Sequence, residues 1–187
     1  MPLPFESRRY NTNNEPGLAH ALTFSCYKRH PFLKSRIARE YVAESINHAR
    51  LLHEFEVWAY VLMPEHVHLL IFPKNEEYSI SNIVKSIKQT SSKRLIQFLK
   101  ENNPEALKLL ETGLEKPRYK FWQRRRGFDR DLWSPEAIRK TIDYIHDNPV
   151  KRGLVENPED WAWSSARFWL MEEEGPVVVE REHLVLF

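Results

Sequence analysis

Val61-Leu62-Met63-Pro64-Glu65-His66-Val67-His68-Leu69-Leu70-Ile71-Phe72 is the stretch on which the fold turns. The apolar runs Glu56 to Met63 and His66 to Phe72 are of strand length and meet through the tight Met63-Pro64-Glu65 connection. Strands joined so closely pair as an antiparallel hairpin. Side chains alternate along a strand, so His66 and His68 share one face and Val67 takes the other. Packing alone does not favour two same-face imidazoles in a buried strand, because each ring brings polar nitrogens that need partners. Two imidazoles side by side on a sheet face form half of a metal site. A lone His-x-His is usually no ligand pair. This one gains weight from a second element far downstream, Tyr144-Ile145-His146-Asp147-Asn148-Pro149.

Before the hairpin, His20 to Tyr27 reads as a first strand. Lys34 to about His53 carries a helical stripe of Ile37, Tyr41, Val42, Ile46, Ala49 and Leu52. After it, Ser79 to Lys100 is a long amphipathic helix with Lys85, Lys88, Lys93, Arg94 and Lys100 outside, and Ser79 or Ser81 as its cap. Glu101 to Pro117 is a polar helix-loop insertion, and Phe121 to Asp129 is a fourth strand candidate. Ser134-Pro135 opens a helix that runs to about Asp147 and is stopped by Pro149. The order strand, helix, strand, strand, helix, strand predicts an α+β chain with a ferredoxin-like split βαβ antiparallel sheet, both helices on one face. The open face receives the histidines, and an added C-terminal catalytic helix lies across it. The expected organisation is a flexible arm over 1–17, a catalytic domain over 18–170 and an acidic tail over 171–187.

The aromatic content and ordinary hydrophobic share fit a globular chain with a real core. No apolar run is long enough to cross a bilayer, and the first ten residues hold no signal-peptide core. Cys26 is the only cysteine, so there is neither an internal disulfide nor a thiolate cluster, which suits a reducing cytoplasm. The net charge of +2 hides an uneven distribution. Between Lys116 and Arg130 stand Lys116, Arg118, Lys120, Arg124, Arg125, Arg126 and Arg130, against Asp129 alone. The tail holds Glu172, Glu173, Glu174, Glu180 and Glu182. A concentrated basic segment in a near-neutral protein points to a polyanion surface. Tyr119, Phe121, Trp122 and Phe128 interleave with it, a composition suited to stacking unpaired bases while guanidiniums hold phosphates. A solvated edge strand is the plainer alternative. Trp161 and Trp163 read as core.

Tyr144 and Asn148, four apart on a helix, share a face. Taken alone, Tyr144 reads as a half-buried tyrosine packed on the sheet. Beside a two-histidine metal site it suggests covalent phosphoryl chemistry, in which a phenol attacks phosphorus and displaces a sugar hydroxyl. Tyrosine suits this because its pKa of about 10 lies well below that of a sugar alcohol. The phosphotyrosine then remains an activated linkage that a free 3′-hydroxyl can reverse.

The Leu62–Leu70 motif and Tyr144-Ile145-His146-Asp147-Asn148-Pro149-Val150-Lys151-Arg152-Gly153, with Trp163-Ser164-Ser165-Ala166 beyond them, resemble the single-tyrosine HUH transposases, most closely the REP-associated tyrosine transposases. The resemblance spans roughly residues 18 to 168. It implies His66 and His68 as ligands of Mg²⁺ or Mn²⁺, Asn148 as the third ligand, and Tyr144 as the nucleophile that takes a 5′-phosphate. Glu65 stands where the family often has Asn, with no loss of metal binding expected. His146 reads as a surface or supporting residue. The implied partner is single-stranded DNA with a hairpin of the REP type, held through Arg124, Arg125, Arg126, Trp122, Lys151 and Arg152. The chain is expected to act as a monomer or homodimer in the cytoplasm, nucleoid-associated when on DNA. Two other readings stay open: a hairpin-binding protein whose catalysis has decayed, and a metal nuclease that uses water.

Overall fold

The computed structural model describes residues 14–116, 118–124 and 127–186. Strands β1 (Ala19–Ser25), β2 (Phe55–Leu62), β3 (His66–Pro73) and β4 (Phe128–Leu132) form one antiparallel sheet in the order β2-β3-β1-β4. Helices α1 (Arg36–Leu52) and α2 (Ile80–Asn102) pack together against one sheet face, and α4 (Pro135–Lys151) crosses the other. A short α3 (Pro104–Lys108) follows α2 inside the expected insertion, and α5 (Ala166–Met171) follows α4. This is the split βαβ arrangement the element order predicts.

The three long helices each begin where a serine hydroxyl can satisfy a free N–H. Ser35, Ser79 and Ser134 accept from Ala38, Asn82 and Ala137 at the starts of α1, α2 and α4. The strands sort their side chains by parity. Val67, Leu69 and Ile71 join Leu22, Phe24, Ile46 and Ile87 in the core under α1 and α2. Leu70 and Phe72 join Ala19, Ile138, Ile142 and Ile145 in the core under α4. In β2 the register slips between Val57 and Ala59, and this bulge returns Tyr60 and Leu62 to the face of Val57. Both faces of β2 are buried, which is why its sequence is apolar throughout apart from Glu56, whose carboxylate accepts from Trp58 Nε1.

Two expected boundaries move. The fourth strand begins at Phe128 and not at Phe121. Phe121 and Trp122 instead turn into the core of α1 and α2, and Trp122 meets Cys26 only through an isolated bridge. Gly127, at φ +82°, makes the transition, with its Cα so near β1 that a Cβ there would lie 1.8 Å from the Thr23 carbonyl oxygen. The catalytic-helix candidate does not stop before Pro149. It runs through that proline to Lys151, with Arg152 and Leu154 donating to the Asn148 and Pro149 carbonyls, and Gly153 turns left-handed at φ +63°. A proline near the end of a helix gives up one hydrogen bond, and the buried Pro149 ring recovers apolar burial in exchange.

The exposed edge of β2 is covered. The Leu62 N–H donates to the Trp163 carbonyl, the Ser165 N–H to Tyr60, and the Glu180 N–H to Val57. The acidic segment is anchored by Val177, which is fully buried, by Asn47 bonding Pro176 and Val178, and by the Arg50–Glu180 ion pair. Covering an edge strand removes a template for intermolecular pairing.

Candidate functional site

His66 and His68 project from β3 towards α4, and Thr23 of β1 lies directly across from His68 in the register. The two Nε2 atoms face each other 3.0 Å apart. Each ring is held at its other nitrogen. His66 Nδ1 donates to Glu65 Oε1 at 3.1 Å, and His68 Nδ1 lies 2.7 Å from Thr23 Oγ1. A carboxylate can only accept, so the Glu65 contact fixes the His66 proton on Nδ1 and leaves Nε2 a lone pair. Thr23 can donate to or accept from His68, so either tautomer of that ring is satisfied.

Burial keeps both rings neutral. It pushes His68 down to about 3, with His66 adding to the shift. It also lowers His66, against the pull of the Glu65 carboxylate. Burial would raise Glu65, but the hydrogen bonds from Arg152 and His66 and the Arg152 charge outweigh it and hold the carboxyl below its usual range. Two neutral imidazoles with converging nitrogens fit a divalent ion that accepts nitrogen ligands.

Helix α4 brings the tyrosine to this pair. The Tyr144 ring stands edge-on to His68 with centroids 5.5 Å apart. Lys151 lies with Nζ 5.4 Å from the Tyr144 ring centroid and pairs with Asp147 at 3.1 Å. Asn148 is buried inside the helix, its Nδ2 donating to the Tyr144 carbonyl at 2.7 Å. Arg152 reaches back across the sheet end to Glu65 Oε1 at 2.7 Å, so one carboxylate oxygen ties the end of α4 to the histidine motif. A cavity of about 770 Å³ opens beside His68 and Tyr144, between Thr23 of β1 and Ser134, Lys140 and Thr141 at the start and middle of α4.

His146 faces the other way. Its Nε2 lies 2.8 Å from Ser165 Oγ, which also receives the Tyr60 N–H at 2.9 Å, and burial pushes the ring down to about 4 against the pull of Asp147. The Trp163-Ser164-Ser165-Ala166 stretch thus works as a clasp between β2 and α4. The Arg39 guanidinium lies over both Trp161 and Trp163, which pack on the two cores as expected.

The basic segment divides. Arg125 and Arg126 lie outside the described residues, and Arg124 is exposed. The stacking role expected of Trp122 is corrected: its ring is 5% exposed, packs edge-on to Phe24 and Phe121, and donates Nε1–H to Ser91 Oγ at 3.0 Å. No pattern along the chain signals that α2 meets this segment. Lys85 and Lys93 of α2 and Lys120 and Arg124 of the loop line one groove of about 470 Å³, with Tyr119 on its wall. Lys88 donates there to the Gln123 carbonyl at 2.8 Å, and burial brings its amine down to about 8. Sequence reasoning also missed Thr23, which only the β1–β3 register brings to His68.

Comparison with known proteins gives the family. The family described as IS200-like transposases matches residues 17–147. A Haemophilus influenzae protein assigned to the REP-associated tyrosine transposases is 31% identical over 136 residues, which cover 68% of this chain and 72% of the relative. A solved REP-associated tyrosine transposase bound to a REP hairpin superposes with a TM-score of 0.64 at 23% identity, over 94% of this chain and 92% of the other, and shares the fold. By the family match and the close relative together, this chain belongs to the IS200-like transposases, among the REP-associated tyrosine transposases.

Proposed function

We propose that the protein is a metal-dependent single-stranded DNA endonuclease and strand transferase that acts at hairpin-forming REP-type sequences through a 5′-phosphotyrosine intermediate. The observation that carries this is the contact of the Tyr144 ring with His68, whose Nε2 converges with that of His66. His66 and His68 would hold Mg²⁺ or Mn²⁺, with Asn148 as the third ligand, and the ion would polarise the scissile phosphodiester. The Tyr144 oxygen forms a bond to phosphorus, the bond from phosphorus to the sugar 3′-oxygen breaks, and that oxygen leaves as a 3′-hydroxyl. The phenolic proton is given up to solvent and the leaving oxygen takes one, so the step balances. Reversal by another 3′-hydroxyl rejoins strands.

The helix-side groove supports a path for unpaired DNA, because lysines, an arginine and an aromatic face line one channel. Lys151 and Arg152 supply positive charge beside the nucleophile. The REP hairpin is inferred from the relatives. Among the described residues no helix is long and apolar enough to cross a membrane.

The test is incubation with single-stranded hairpin DNA and Mn²⁺, followed by denaturing electrophoresis. The expected result is a covalent protein–DNA adduct, lost in Tyr144→Phe and in chelator while that variant melts like the parent. Cleavage without an adduct, undiminished in Tyr144→Phe, would establish water as the nucleophile. Binding with no cleavage under any metal would establish a hairpin-binding protein.

A further inference from the structure

On the sheet face opposite Tyr144, His20 of β1 is fully buried between β4 and Tyr78, which precedes the cap of α2. Its Nδ1 lies 3.2 Å from Asp129 Oδ1 and 3.2 Å from Asp131 Oδ1. Only the Asp129 contact has hydrogen-bond geometry; Asp131 Oδ1 is buried without a hydrogen-bond partner, and so is Asp129 Oδ2. The Asp129 side chain is 8% exposed, and buried carboxylate oxygens are costly to leave unsatisfied.

Proton placement sharpens the arrangement. His20 Nε2 lies 2.8 Å from the Tyr78 hydroxyl, and that hydroxyl donates its single proton to the Glu15 carbonyl at 2.7 Å. Tyr78 must therefore accept from His20, which places an N–H on Nε2. Nδ1 faces both carboxylates, and a proton there would serve Asp129 Oδ1 alone, leaving Asp129 Oδ2 and Asp131 Oδ1 unmatched; a divalent ion in its place would answer both carboxylates. Ligand atoms about 2.1 Å from a common ion lie roughly 3 to 3.4 Å apart; Nδ1 stands at that spacing from each carboxylate, and all three ligand atoms lie within 4.8 Å of one another. A third carboxylate, that of Glu15, adds negative potential.

We propose that His20, Asp129 and Asp131 form a second divalent-metal site, distinct from the histidine pair of β3, which takes a transition ion of the Mn²⁺ or Zn²⁺ type. One imidazole and two carboxylates suit such ions better than Mg²⁺, which keeps its waters and prefers oxygen. The site is structural. It joins β1 to β4, the short edge strand that leads within a few residues into α4, and to the segment that opens α2. Holding β4 in register holds the helix that carries Tyr144.

Mn²⁺ uptake by the full-length His66→Ala/His68→Ala protein, counted by loss of the free-ion spin-resonance signal, tests the site without the β3 pair. One ion per chain is expected, together with a melting temperature that rises and saturates with Mn²⁺. Adding Asp131→Asn at the half-open rim of the cluster should abolish both effects. Tyr78→Phe, which removes the acceptor that sets the ring tautomer, should weaken uptake about 10- to 100-fold. It serves as the second variant if Asp131→Asn does not fold. Glu182→Gln should change nothing, since it alters only the separate Glu56–Glu182–His183 group. No uptake by the parent variant would overturn the proposal, as would uptake that survives Asp131→Asn, persists at full strength in Tyr78→Phe, or vanishes in Glu182→Gln.

Discussion

The histidine pair is built from residues that never touch the reacting atoms. Glu65 fixes the proton of one ring, and Thr23 can serve either tautomer of the other. Partners of this kind typically change metal affinity 10- to 100-fold when removed. Thr23→Val keeps the shape and the strand preference but loses the hydroxyl. It should weaken Mn²⁺ binding within that range, read by titration calorimetry, while the melting temperature of the metal-free protein moves little; unchanged affinity would make the Thr23 contact incidental. His146 gives a pH prediction. Its folded-state value of about 4 lies below the ordinary 6.5, because burial disfavours the charged ring. The unfolded chain therefore binds a proton that the native chain refuses between those values. Stability is fully present above pH 6.5 and falls as pH drops towards 4, by about 3 kcal/mol from this residue. His146→Gln should flatten that part of the acid limb in urea melts between pH 4 and 7. An equally steep limb in the variant would assign the loss to other groups.

At the level of elements, the turn before β4 and the end of α4 decide where the chemistry sits. Gly127 combines a left-handed φ with contact against the β1 backbone, so no side chain fits without displacing one strand from the other. Gly127→Ala should cost about 3 kcal/mol or more, through strain and disruption of the β1–β4 register. Chemical denaturation would read this as a lower midpoint, and a midpoint within a few tenths of a kcal/mol of the parent would contradict the close approach. Helix α4 illustrates why a proline is a poor stop signal near a helix end. Pro149 is held by its burial, and the backbone past it closes on Asn148 and Pro149 through Arg152 and Leu154. Asn148 thereby stays one turn from Tyr144 on a continuous helix.

Across the molecule as a unit, the sheet separates two wet surfaces. The cavity beside Tyr144 lies on the α4 face, and the basic groove lies where α2 meets the 119–124 loop. Single-stranded DNA that uses both must pass around the sheet rim. Lys85, Lys93 and Arg124 are exposed in that groove, so reversing them should act on affinity and leave folding intact. Lys85→Glu/Lys93→Glu/Arg124→Glu should weaken single-strand binding and reduce its logarithmic salt slope by about 0.7 for each phosphate that is no longer neutralised. Anisotropy titrations from low to moderate salt measure this, and an unchanged slope would make the groove a solvated face.

Elements whose signals are local could be read along the chain. Hydrophobic period, capping serines and the Met63-Pro64-Glu65 connection yielded the helices and the hairpin, because a helix or a tight turn is specified by neighbours in sequence. Strand alternation likewise puts His66 and His68 on one face without reference to any tertiary contact. Glycine chemistry at Gly127 was visible as a residue type, yet its meaning was not, since the clash it avoids is with Thr23, far away in sequence. The aromatic–basic stretch misled for the same reason. Trp122 looks identical in sequence whether it faces DNA or Ser91, and only packing against α2 chose the interior. The pairing of Thr23 with His68, the Arg152–Glu65 tie, the acidic segment laid along β2 and the His20–Asp129–Asp131 cluster emerged only in three dimensions. Each joins residues distant in the chain, and their meeting depends on sheet register and helix placement, which no local pattern encodes.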